Sequence, residues 1–110
     1  MIDNDPKLKD IVQRIVDAVH PTRIYLFGSR ARGELSVDAD YDILILKRGR
    51  SVSGSIRRKM LSRIRQGLWD IDAPIDILVY TETEFSEWRD YVNHPLGHAA
   101  REGKVIYETT

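Results

Sequence analysis

Apolar residues recur along this chain with two different periods. Leu8, Ile11, Val12, Ile15, Val16 and Val19 follow the three-to-four spacing that lays one stripe along a helix. Asp5-Pro6 supplies its start, since an aspartate accepts from the first free backbone N–H groups and a proline already holds helical φ. Pro21 sets its end, because the residue before a proline avoids the α region. Residues 23–27 are apolar and partly β-branched, which predicts a short strand ended by Gly28. Residues 30–33 predict one helical turn, and 34–39 a loop. A second strand is expected over 40–46, with Asp40, Asp42, Leu44 and Leu46 on one face and Tyr41, Ile43 and Ile45 on the other. Both faces are apolar at its far end, so this strand is expected to be central and covered on both sides.

A basic loop over 47–53 leads into a helix over about 53–69, with Ile56, Met60, Leu61, Ile64 and Leu68 as its inner stripe. Pro74 introduces a third strand over 75–80. Thr81-Glu82-Thr83-Glu84 has the form of a capping box and opens a helix expected to bury Phe85, Trp88 and Val92. Pro95 restarts a short helix with Leu96, Ala99 and Ala100 inward, Gly103 closes it, and 105–107 predicts a last edge strand. The strand–helix–strand run from Asp40 to Tyr80 is a βαβ unit, whose right-handed crossover makes its two strands parallel. There is no internal repeat, and the length of 110 residues suits one domain spanning 1–110.

Composition narrows the chemistry. An apolar share of 42% allows a modest core and a charged share of 31% a well-solvated surface. No apolar run approaches the roughly 20 residues that span a bilayer, and the N-terminus lacks the apolar segment of a signal peptide, so a cytoplasmic protein without a membrane partner is expected. The absence of cysteine excludes disulfides, thiolate metal sites and a thiol nucleophile. A formal net charge of zero conceals an asymmetry: from Ile43 to Trp69 there is no acid, yet Lys47, Arg48, Arg50, Arg57, Arg58, Lys59, Arg63 and Arg65 all fall there. Such a block suits an anionic partner, and a solvated helix face accounts for it equally well, Lys59 and Arg63 included. RNA or DNA binding is compatible with it, although no RNA-binding module is visible. His20, His94 and His98 lack metal-ligand spacing and read as cap or surface residues. Trp69, Phe85, Trp88 and Tyr91 read as core or interface anchors rather than base-stacking platforms.

The candidate chemistry lies in Gly28-Ser29, then Asp40-Tyr41-Asp42, then Asp76 on the following strand. Strand residues two apart point the same way at about 6.5–7 Å, so Asp40 and Asp42 aim at one small volume. Paired metal ions in phosphoryl-transfer sites sit roughly 3.5–4 Å apart, a gap such side chains bridge. Magnesium prefers a few carboxylates completed by water and phosphate oxygens. Asp76, second on its strand, joins the pair if the two strands are parallel neighbours, and its apolar surroundings demand a partner for its charge. Gly28 allows close backbone approach, and Ser29 stands where a hydroxyl and N–H groups meet phosphate, with Arg30 and Arg32 to offset its charge. For Ser29 to reach Asp40, the first two strands must be antiparallel, which makes the sheet mixed. The acids then sit at the amino ends of parallel strands, unlike a dinucleotide-binding Rossmann site, and neither its glycine fingerprint nor a P-loop is present.

These motifs resemble the minimal nucleotidyltransferases of the DNA polymerase β superfamily, which carry Gly-Ser, about ten residues, Asp-x-Asp and a later strand Asp. The likeness is close over residues 23–46 and continues through PIDILVY and EGKVIYE. Ala39 stands where a small hydroxyl residue is common, and Asp38 adds an acid nearby. The resemblance implies an α/β (α+β) polymerase-β-type core with a mixed four-stranded sheet and helices packed against it. It implies a nucleoside triphosphate such as ATP as substrate, two Mg2+ ions, and nucleotidyl transfer to a hydroxyl with release of pyrophosphate. Asp40 and Asp42 would then ligate both metals, and Asp76 would ligate one and help deprotonate the acceptor. Minimal cores of this kind pair with small helical HEPN-type toxins, as antitoxins that attach AMP to a partner tyrosine. A binding antitoxin that acts by contact alone, and a small-molecule or RNA nucleotidyltransferase, are the alternatives.

Overall fold

A computed structural model describes residues 5–33 and 40–109; the expected loop over 34–39, with Asp38 and Ala39, lies outside them. The first helix, α1 (Pro6–Val19), is capped by the Asp5 carboxylate, which accepts from the Leu8 N–H at 3.0 Å. It ends at His20, whose φ of 49° turns the chain ahead of Pro21. Leu8, Ile11, Val12, Ile15 and Val19 are buried, as the stripe requires.

The strands are β1 (Arg23–Phe27), β2 (Tyr41–Lys47), β3 (Ile75–Thr81) and β4 (Lys104–Glu108). Their order across the sheet is β3-β2-β1-β4. β1 runs antiparallel to both β2 and β4, while β2 and β3 are parallel, so the sheet is mixed as expected and β4 is an edge. Residues Ile43 to Leu46 are fully buried, which fits a central strand covered on both faces.

Two layers of helix do the covering. On one face α1 and α3 (Gly54–Gly67) pack on Ile24, Leu26, Tyr41, Ile43, Ile45, Ile77 and Val79. On the other, Tyr25, Leu44 and Leu46 pack under Phe85 of α4 (Glu82–Trp88) and Leu96 and Ala99 of α5 (Pro95–Glu102). The capping box forms in full: Thr81 Oγ1 accepts from the Glu84 N–H at 3.1 Å, and Glu84 accepts from the Thr81 N–H at 2.9 Å.

Four expectations need correction. Ile56 is 49% exposed, because the Ser53 cap places it in the first turn of α3, ahead of the Met60-to-Leu68 stretch that meets the core. Trp88 and Val92 are exposed rather than buried, since α4 stops at Trp88 and leaves Val92 in the following turn. The short helix after β1 is α2 (Gly28–Ala31), two residues earlier than predicted, because Gly28 itself makes the turn with a φ of 74°. Trp69 and Tyr91 are also exposed, so neither is a core anchor.

Candidate active site

Register decides the site. In the parallel pair, Tyr41 stands opposite Ile75 and Asp42 opposite Asp76. Pro74 has no N–H to offer, but its carbonyl accepts from the Tyr41 N–H at 2.9 Å, which fixes the two strand starts level. In the antiparallel pair, Phe27 stands opposite Asp42, so Gly28 arrives beside the Asp42 carboxylate. A Cβ on Gly28 would lie 2.2 Å from Asp42 Oδ2, which leaves hydrogen as the one side chain that fits.

The start of β2 is held from below. The Tyr41 hydroxyl donates to the Asp5 carboxylate at 3.0 Å, and the Arg30 guanidinium lies over the Tyr41 ring at 3.9 Å from its centre. Tyr41 is locked on one face of the strand, so its neighbours Asp40 and Asp42 are directed to the other.

Asp40, Asp42 and Asp76 converge as the spacing predicts, each offering an oxygen within 4.8 Å of the other two. Asp40 and Asp76 are exposed and Asp42 is half-buried. Burial pushes the Asp42 carboxyl above the usual range, the charges of Asp76 and Asp40 and a hydrogen bond with Asp76 push the same way, and Arg32 opposes them. Three carboxylates gathered on an open surface suit a hard divalent cation. Carboxylate oxygens open to solvent, to be completed by water and phosphate oxygens, are a donor set that fits Mg2+.

The surrounding residues divide. Gly28 and Ser29 are half-buried at the rim of the acid cluster. Arg32 acts on Asp42 electrostatically and lies 3.5 Å from Glu102. Arg30 is turned to the Tyr41 side, 3.8 Å from Asp5, with 15% of its side chain exposed. Sequence spacing alone could not separate these two arginines, nor show that Asp5 and Tyr41 support the strand that carries the acids.

Residues 6–63 match the family model of the nucleotidyltransferase domain. The chain belongs to that family. The matched span holds Gly28, Ser29, Asp40 and Asp42, and the parallel register brings Asp76 to this nucleotidyltransferase domain from outside it. Among solved structures, the nucleotidyltransferase fold is similar to a putative nucleotidyltransferase from Sulfolobus solfataricus, at 25% identity and a TM-score of 0.61 over 93% of this chain and 78% of that one. It is also similar to a toxin–antitoxin solved with AMP-PNP, at 19% identity and a TM-score of 0.58 over 93% and 73%. A tyrosine-to-alanine mutant of the toxin–antitoxin MntA-HpeT gives 19% and 0.58 over 93% and 72%. At these identities the last two show the fold alone. A comparison with curated proteins found no match. Among the described residues, no helix is long and apolar enough to cross a membrane.

Proposed function

We propose that this nucleotidyltransferase transfers AMP from ATP to a hydroxyl of a protein partner, a tyrosine of a HEPN-type toxin, and so serves as the antitoxin of a pair. The observation that carries the catalytic part is the convergence of Asp40, Asp42 and Asp76 beside Gly28. The partner reading is supported by likeness in fold to toxin–antitoxin nucleotidyltransferases, one of them solved with AMP-PNP.

In this reading Asp40, Asp42 and Asp76 hold two Mg2+ ions, which when bound offset the charge of the triphosphate. Gly28 and Ser29 seat the phosphates through backbone N–H groups and the Ser29 hydroxyl, with Arg32 as the nearer cation and Arg30 behind it. The acceptor oxygen attacks the α-phosphorus and forms the new P–O bond. The bond from that phosphorus to the bridging oxygen breaks, and pyrophosphate leaves with the electron pair. Asp76, on the open side of the cluster, takes the acceptor proton.

The test is incubation with α-32P-ATP, Mg2+ and the helical protein encoded beside this chain. Label on the partner, lost with Asp42→Ala and with the acceptor tyrosine changed to phenylalanine, is the expected result. An unlabelled partner, with wild type and Asp42→Ala alike, removes the proposal. Neutralisation by Asp40→Asn/Asp42→Asn would assign the antitoxin role to contact alone.

A further inference from the structure

The basic block is not uniform in the folded chain. Lys47 donates to the Val19 carbonyl at the end of α1. Arg57 pairs with the buried Glu84 at 2.6 Å and donates to the Val79 carbonyl at 2.9 Å. These two cations are structural. Arg48, Arg50, Arg58, Lys59, Arg63 and Arg65 are exposed, and among the described residues none has an ion pair, a side-chain hydrogen bond or a ring contact.

That is a local departure, because every described arginine outside the block is engaged. Arg14 pairs with Asp10 and Asp70, Arg23 with Glu82, Arg30 with Asp5 and Arg32 with Glu102. Arg89 lies over the Phe85 ring and Arg101 donates to the Val92 carbonyl. The arginines elsewhere are engaged, and those of this set are left to solvent.

A second observation falls on the same helix face. Trp69, just past the end of α3, is 82% exposed. With Arg58, Leu61, Ser62, Arg65 and Gln66 it lines an open groove of about 540 Å³. Arg58, Ser62 and Arg65 follow helical spacing and make one stripe, about 10 Å long at 1.5 Å per residue, and Trp69 lines the same groove just past the helix end. Lys59 and Arg63 continue the positive charge around the helix, beside a smaller cavity of about 230 Å³ that they line with Lys47. α3 packs on the Tyr41–Ile43–Ile45 face of the sheet, and Asp42 points to the other, so this stripe is no part of the acid site.

We propose that the outer face of α3 binds a single-stranded polynucleotide, with Arg58 and Arg65 on phosphates, Trp69 stacked on an unpaired base, and Lys59 and Arg63 extending the track. A row of unpaired cations with an exposed indole at its end is what binding to a flexible polyanion with π-faces requires. An acidic peptide would use the charges without needing the planar ring, and a duplex would hide its base faces from it.

The test uses fluorescence anisotropy of the whole chain with labelled 12-mer single-stranded RNA and DNA of mixed sequence, at several salt concentrations. Binding of either is expected, weakening as salt rises, with Trp69→Ala lowering affinity about ten- to hundredfold. Arg58→Ala/Arg65→Ala should reduce the salt slope by about 1.4. Melting temperatures of these variants should match wild type, and Asp42→Asn/Asp76→Asn should bind the oligonucleotide as wild type does. Absence of binding overturns the proposal. So do equal affinity of Trp69→Ala, equal competition by poly-glutamate or duplex, and loss of binding in the Asp42→Asn/Asp76→Asn variant.

Discussion

Replacing Gly28 by alanine probes the contact that joins the glycine-serine turn to the acids. Two costs arise. The backbone there has a φ of 74°, which costs a residue with a Cβ about 1–2 kcal/mol. The added methyl would stand 2.2 Å from Asp42 Oδ2, where ordinary contact begins at 3.4 Å, so the carboxylate must retreat by about 1.2 Å. Overpacking of this size costs a further 1–3 kcal/mol or so. The variant should therefore lose about 2–5 kcal/mol in urea denaturation and still fold, given the roughly 5–15 kcal/mol of an ordinary domain. Turnover should fall about a hundredfold, the usual effect of misplacing a reacting group by about 1 Å. Gly33→Ala is the control: its φ is 87°, but among the described residues nothing lies within 4 Å of the added carbon, so it carries the backbone cost without the clash with Asp42. Equal nucleotide binding and equal transfer by Gly28→Ala and Gly33→Ala would show that the contact with Asp42 does not matter to the site.

Other expectations concern the supports. Glu84 is 7% exposed; burial works against its charge, but Arg57 and the Thr81 and Val52 N–H groups outweigh it and bring its pKa to about 2. A depressed carboxyl stabilises the fold above its ordinary value near 4.5, so about 3 kcal/mol should be lost as pH falls from there through about 2, and Glu84→Gln should flatten that acid limb in denaturation curves. Arg57→Ala, which strands the Glu84 charge, should cost about 3–5 kcal/mol near neutral pH by the same measurement. Arg30→Ala should lower stability through the loss of Asp5 and Tyr41 contacts, whereas Arg32→Ala should leave stability nearly unchanged and raise KM for the nucleotide severalfold in steady-state kinetics.

Much of this was legible in the sequence because the strands obey a strict alternation. The period of two placed Asp42, Leu44 and Leu46 on one face, and the βαβ rule made β2 and β3 parallel, which set Asp42 opposite Asp76. The Thr81–Glu84 box was likewise written in four consecutive residues. What was not legible depends on where elements stop and on distant partners. Helical spacing continues through Trp88 and Val92, but α4 ends after two turns, and nothing local says so. Arg57 and Arg58 are adjacent and chemically alike, yet Arg57 alone meets Glu84, 27 residues away. Arg30 and Arg32 differ in the same way, since Arg30 is claimed by Tyr41 and Asp5 on the far side of β2.

In the proposed function Asp40, Asp42 and Asp76 form a divalent-cation site that binds a nucleoside triphosphate. Calorimetric titration of ATP into wild type and into Asp42→Asn/Asp76→Asn, each with Mg2+ and with EDTA, tests it most directly. Wild type is expected to bind ATP with Mg2+ and not with EDTA, and the variant in neither; the variant's metal-free melting temperature should be at least that of wild type because two repelling charges are gone. Equal ATP binding by the folded variant, or binding by wild type that persists in EDTA, would contradict it.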